Sequence, residues 1–247
     1  IATDPPRGVT LRHVLDNENV DVRRALDFAQ HIAHGLSELH KQGIIDIDLR
    51  PELITVDTMG VTDRVQLDDI GLRPLLRELG YLPDPSLDDI GYRDPRYASP
   101  ESIAGEAIGP YSDVYQLGLL LFELVTGRVP FVGRNAAETV VLQSTSPIPL
   151  MVQFKHDAPA VLQDIVDRAL AKKPSSRFPS LEALLAALQT VQLPQHPLSD
   201  RGQSGERSTS PQRVLGAEQG KGVTKGMRSV EEDMSLLDTL IEGRSPS

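Results

Sequence analysis

Cysteine and tryptophan are absent from the 247 residues, and phenylalanine and tyrosine number five each. Without cysteine there is no disulfide framework and no thiolate zinc site. This fits an intracellular, cytoplasmic setting. Basic charge is also scarce: 25 Lys and Arg stand against 35 Asp and Glu, a net charge of −10. That balance argues against a nucleic-acid partner. Long apolar runs are missing too. The longest, Leu117 to Phe122, is far too short to span a bilayer, so no membrane span is expected. What remains is 39% hydrophobic residues, enough for an aliphatic core of Leu, Val, Ile and Ala. A chain of this length holds one or two domains.

The order of elements can be read from periodicity. Residues 1–9, with Asp4-Pro5-Pro6 and Gly8, read as an extended connection. Thr10 is placed to cap a short helix through His13 and Leu15. Val22, Ala25, Ala29, Ile32, Ala33, Leu36 and Leu39 recur in threes and fours, which predicts a helix with one buried face, ended by Gly43. Leu53–Val56 and Arg64–Leu67 predict two short strands joined by a turn at Thr58-Met59-Gly60. Residues 68–101 show no periodicity and read as a long functional loop. Ser112-Asp113 opens an apolar helix, Val114 to Thr126, stopped by Gly127. It is apolar on most sides and is predicted to be central. Further helices are predicted at 134–145, 158–172 and 180–192, with Pro159 in a first turn and Ser180 as a cap.

The composition changes near residue 194. From Ser199 to Arg213 there is no apolar residue, too little burial to offset chain entropy, which predicts a disordered linker over 194–228. Ser229-x-x-Glu232 is a capping-box pattern, and Met234, Leu237 and Ile241 follow on one face. This predicts an amphipathic helix over 229–243. It reads as a transient helix, with a docking peptide for a partner groove as the sharper alternative.

The stretch around which the rest is organised is Gly43-Ile44-Ile45-Asp46-Ile47-Asp48-Leu49-Arg50-Pro51-Glu52-Leu53. An apolar pair leads into an acidic turn and then a Pro-Glu step, a loop suited to holding Asp48 at the mouth of a cleft. Further motifs follow in order. They are Leu67-Asp68-Asp69-Ile70-Gly71, Pro95-Arg96-Tyr97-Ala98-Ser99-Pro100-Glu101, Ser112-Asp113-Val114-Tyr115-x-Leu117-Gly118, Glu123-Leu124-x-Thr126-Gly127-x-x-Pro130-Phe131, and Ala169-Leu170-Ala171-Lys172-Lys173-Pro174-x-x-Arg177-Phe178. In this order and at these spacings they resemble the protein kinase superfamily, in its C-terminal lobe, and most of all the bacterial Ser/Thr kinases that are like eukaryotic ones. The resemblance runs from Leu11 to about Leu188.

It implies an α+β fold over residues 1–193: a kinase-like C-lobe, mostly helical, with a small β-hairpin. No Gly-rich phosphate loop precedes residue 11 and no early-strand lysine is available. The N-lobe is therefore expected to be absent from this chain, which reads as beginning at the hinge, with Ile1, Ala2 and Thr3 beside the adenine. The first residue is Ile, so the chain reads as cut from something longer.

The resemblance also implies roles. Asp48 falls on the catalytic carboxylate, Arg50 on the usual Lys near the transferred phosphate, and Asp69 on the magnesium ligand. Asp113 would accept bonds from the catalytic-loop backbone, and Glu101 would pair with Arg177. Other letters differ. Leu53 replaces the Asn that holds a second magnesium, and leucine has no oxygen to offer. Ile47 replaces the arginine that receives a phosphorylated activation loop, and Asp69 to Glu101 contains no Thr. Asp94 replaces a Thr that bonds the catalytic Asp, and would repel Asp48 unless a cation intervened. The expected function is a pseudokinase, a binding or regulatory module in signalling with ATP and Mg2+ binding weakened or lost and a protein as partner. The alternatives are a divergent active Ser/Thr kinase acting on a protein substrate and a nucleotide-free scaffold. His31 and His34, one helical turn apart, read as ordinary helix residues for want of a third ligand.

Overall fold

The computed structural model describes residues 8–58, 62–68, 80 and 94–193, all within the unit Ile1–His196. The expectations for Ile1, Ala2, Thr3, Asp69 and the tail beyond residue 193 lie outside the described residues.

The chain enters through a two-residue strand, β1 (Val9–Thr10). The Thr10 side chain accepts a hydrogen bond from the His13 N–H, and α1 (Leu11–Asn17) starts there. Asp21 does the same for Arg24 N–H at 2.8 Å and opens α2 (Val22–Lys41). Its apolar face, from Val22 through Leu36, is buried. Gly43, at φ 78°, reverses the chain in a conformation that costs other residues more. A 3-10 turn at Pro51–Leu53 then leads into β2 (Ile54–Asp57), which pairs antiparallel with β3 (Arg64–Leu67). The expected hairpin is present, with one addition. β1 pairs antiparallel on the other edge of β2, Val9 opposite Val56, giving a three-stranded sheet in the order β1-β2-β3. Two residues are too few to show a strand period, so β1 is not legible in the sequence.

Residues 94–99 lead into α3 (Pro100–Ala104), a short helix where the sequence reads as the end of a loop. Its signals are local: Ser99 caps it and Pro100 occupies the first turn. Next comes α4 (Pro110–Thr126), which begins two residues before Ser112, because Gly109 takes the cap and donates its N–H to the Ser112 hydroxyl. Every residue from Ser112 to Val125 is buried. At Gly118 an added Cβ would stand 2.9 Å from the Ala169 Cβ, so glycine lets the helix ending at Ala169 approach this closely. The helices that follow α4 are α5 (Ala136–Thr145), α6 (Ala160–Ala169) and α7 (Leu181–Gln189). Pro159 sits at the cap of α6 rather than inside its first turn. α2 packs against both α4 and α7, and α6 closes on α4 and α7. The fold is thus a helical body around α4, with a small antiparallel sheet beside it.

Candidate functional site

The loop between α2 and β2 hangs from the N-terminal end of α4. Asp113, fully buried, accepts from Ile47 N–H at 2.9 Å on one oxygen. Its other oxygen accepts from Asp46 N–H at 3.2 Å and lies 2.7 Å from His40 Nε2. Three residues on, Gln116 Oε1 accepts from Leu49 N–H at 2.9 Å. Residues 46–49 are therefore held at three amides by one helix. The hold matters because Asp46 has φ 63°, a left-handed backbone that is rare outside glycine. Burial, with the charge of Asp46 adding to it, raises the Asp113 carboxyl above its ordinary value, against the bonds from His40 and Ile47. Asp48 emerges from this loop with its side chain 11% exposed, and Arg50 Nη2 stands 3.4 Å from its carboxylate.

Asp94 faces the same loop. It does not meet Asp48 as a bare second carboxylate, because cations intervene. Arg96 Nε donates to both Asp94 oxygens at 2.9 Å, and the Arg96 backbone N–H donates to one of them at 3.0 Å. Burial pushes Asp94 up, but these bonds and the charge of Arg50 bring it below the ordinary carboxylate value. The Arg96 guanidinium is raised in turn, first by Asp94.

A second network ties this loop to α1 and α4. Arg12, on α1, donates to Glu52 Oε1 at 2.9 Å, to Glu123 Oε1 at 2.8 Å and to the Tyr97 hydroxyl. Tyr97 donates onward to the other Glu123 oxygen. Burial works against the Arg12 charge, but the bonds to Glu123 and Glu52 outweigh it and hold the guanidinium above its ordinary value. Burial and Glu123 together raise the Tyr97 phenol, so it stays a donor. Four elements meet here: α1, the loop, the 94–97 segment and α4. Sequence reasoning missed this network. The partners of Arg12 lie 40, 85 and 111 positions away, and no periodicity links them. Within the loop, Arg50 Nε and Glu52 Oε2 are buried with no hydrogen-bond partner among the described residues.

Below the cleft, Arg177 makes a two-pronged pair with Glu101, Nη1 to Oε1 at 2.7 Å and Nη2 to Oε2 at 2.8 Å. The guanidinium also donates to the Ala171, Tyr111 and Lys172 carbonyls. Glu101 would be raised by burial, but Arg177 overrides this and lowers it.

Leu53 ends the 3-10 turn directly beside β3. Its carbonyl accepts from Asp68 N–H at 2.9 Å, and Thr55 donates its hydroxyl to the Asp68 carboxylate. Leu53 thus adjoins Asp68, and its side chain carries no oxygen. Magnesium takes oxygen ligands, so the Leu53 side chain cannot serve as one. Among the described residues no group of three or more His, Asp or Glu is placed to hold a metal ion. None of the described helices is long and apolar enough to cross a membrane.

The model of the protein kinase domain matches residues 1–189. Over 185 residues the chain is 28% identical to a probable serine/threonine-protein kinase PknB of Lactococcus lactis, covering 74% of this chain and 28% of that protein. It is 28% identical to the serine/threonine-protein kinase PrkC of Bacillus subtilis over the same shares. It is 31% identical over 186 residues to the serine/threonine-protein kinase PknB of Mycobacterium tuberculosis, covering 74% of this chain and 29% of that protein. The match therefore spans under a third of the length of these relatives.

Proposed function

The chain belongs to the protein kinase family, and on that premise we propose that it serves as a pseudokinase. In this reading it binds a protein partner through the cleft around Asp48 and regulates rather than phosphorylates. One observation carries the reading. The Leu53 carbonyl accepts from Asp68 N–H, which sets Leu53 beside the end of β3, and its side chain has no oxygen to lend to a second metal. Two others support it. Arg50 lies 3.4 Å from the Asp48 carboxylate, so it engages the oxygens that would otherwise meet a substrate hydroxyl. At Asp94, where the resemblance implies a neutral hydroxyl, stands a carboxylate paired with Arg96 and within the field of Arg50.

The second reading, a divergent active Ser/Thr kinase, rests on Asp48 itself. Its loop is held by Asp113 and Gln116 at the amides of Asp46, Ile47 and Leu49, which is the preorganisation a general base needs. Phosphate transfer from labelled ATP to a generic basic protein, by the full-length protein and its Asp48→Asn variant, separates the two. The pseudokinase reading expects the same background in both. Transfer that disappears with Asp48→Asn overturns it in favour of the active enzyme.

A further inference from the structure

Gln143 lies in the last turns of α5 and is fully buried, although α5 presents Ala136, Ala137 and Val141 to solvent. A buried amide is costly unless it is fully hydrogen-bonded, and this one is. Its Oε1 accepts from the Tyr115 hydroxyl at 2.8 Å. Its Nε2 donates to the Arg96 carbonyl at 2.8 Å and reaches the Pro95 carbonyl at 3.3 Å. Its own carbonyl accepts from Lys172 Nζ at 2.6 Å. A leucine would fill the same space without needing any of these partners. The amide therefore does something that packing does not require: it grips the backbone of residues 95 and 96 from the far side of the cleft.

We infer that Gln143 is a positioning residue, whose amide N–H groups set the Pro95–Arg96 backbone and thereby the Asp94–Arg96 ion pair beside Arg50 and Asp48. The inference rests on reading the cleft at Asp48 as the working site. The chain of contacts is short. Gln143 fixes the carbonyl of Arg96, and the Arg96 side chain and N–H fix the Asp94 carboxylate. Asp94 also feels the charge of Arg50, which stands 3.4 Å from Asp48. Tyr115 and Lys172 act on the other side of the amide. Lys172 holds the end of α5 at the Gln143 main-chain carbonyl, and Tyr115 orients Oε1, so that Nε2 points at the 94–97 segment. Through Gln143, α5 is tied to the charge pattern of the cleft with no residue of its own in it.

The test reads arginine side chains directly and involves no nucleotide, so its outcome is independent of whether the protein transfers phosphate. Proton–nitrogen spectra of the arginine Nε–H groups are recorded on the full-length protein, with Arg96→Lys and Arg177→Lys identifying the two signals needed. In Gln143→Met the Arg96 Nε–H signal should move, and its exchange with solvent should rise by up to about tenfold, the worth of one hydrogen bond. The Arg177 signal, which reports the buried base, should stay. Gln143→Glu keeps an acceptor for Tyr115 but has no donor when ionised. It should lose the Arg96 signal at pH 8 and recover it as the pH falls and the carboxyl gains a proton to donate. Tyr115→Phe removes only the acceptor side and should leave more of the Arg96 signal than Gln143→Met does. A role in packing alone would leave Arg96 untouched, or would move Arg96 and Arg177 together. An unchanged Arg96 signal in Gln143→Glu at pH 8 overturns the inference. If Gln143→Met fails to fold, the pH-dependent recovery in Gln143→Glu decides.

Discussion

Two arginine–carboxylate forks hold this molecule, and they differ in everything but chemistry. Arg177 and Glu101 are 76 positions apart, and their side chains are 0% and 2% exposed. Arg96 and Asp94 are two positions apart, and their side chains are 39% and 17% exposed. The first joins α3 to the segment before α7, so it closes tertiary structure. The second folds one segment on itself at the edge of the cleft. Burial makes the first pair strong and makes losing one partner severe, because the other charge is stranded. Exposure to water keeps the second weak as a source of stability. It can still decide the charge that Asp48 meets. The base of the lobe is thus held by pairing that resists change, while the cleft is held by pairing that tolerates it.

The sharpest way to break this contrast is Arg177→Met. It should cost about 3–5 kcal/mol in chemical denaturation, because Glu101 is left buried without its cation. A cost below about 1 kcal/mol would place the base pair in the same class as the exposed one.

Acid unfolding sharpens the same comparison. The folded-state value of Glu101 is lowered by Arg177 against the effect of burial. Its contribution is therefore complete above the ordinary carboxylate pKa and is lost as pH falls through the lowered one. Asp113 has the opposite sign, raised chiefly by burial, so ionising it works against the fold. Glu101→Gln should flatten the acid limb of the stability curve, and an unchanged limb would contradict the assignment.

Asp94→Asn comes next. It should cost less than about 1 kcal/mol, with a strong dependence on ionic strength, while amide exchange rises in residues 94–97. Exchange that rises equally in α2 and α4 would mean the cleft pair holds the whole lobe.

The smallest effect concerns Lys172. Burial, then the charge of Arg177, lowers its ammonium from the ordinary 10.5 to about 8. The charged form is disfavoured in the fold, so stability should rise slightly as pH climbs from about 8 towards 10.5. Lys172→Met should abolish that rise, which a paired set of thermal melts across this range would detect.

The helical body was largely legible because α2 and α4 carry long, regular apolar patterns and local caps. The ends moved by a few residues wherever a cap such as Gly109 or Pro159 has no side-chain donor or acceptor to announce it. β1 and α3 were not legible, being too short for a period to emerge. In the site, Asp48, Arg50, Asp113, Glu101 and Arg177 could be named from motif letters; Glu101 and Arg177 are bonded to each other, and Asp113 to the loop backbone at Ile47. The partners that alter the electrostatics were not legible. Arg12 meets Glu52, Tyr97 and Glu123 across the fold, and Gln143 reaches residue 96 from another helix. Asp94 next to Arg96 is the exception: its neutralising cation is two residues away, and a two-residue Asp-x-Arg spacing was a readable cue.

The most direct test of the central claim, a kept lobe with a changed metal position, is a thermal-shift titration of the full-length protein with ATP, with and without magnesium. A ligand that binds only the folded state raises its melting temperature. With only the Asp69 position left to hold a metal, the account predicts that magnesium adds little to the shift ATP produces, and that Asp69→Asn changes it little. A shift that grows with magnesium and is lost in Asp69→Asn would contradict it, and would make the Asp48 cleft that of a working kinase.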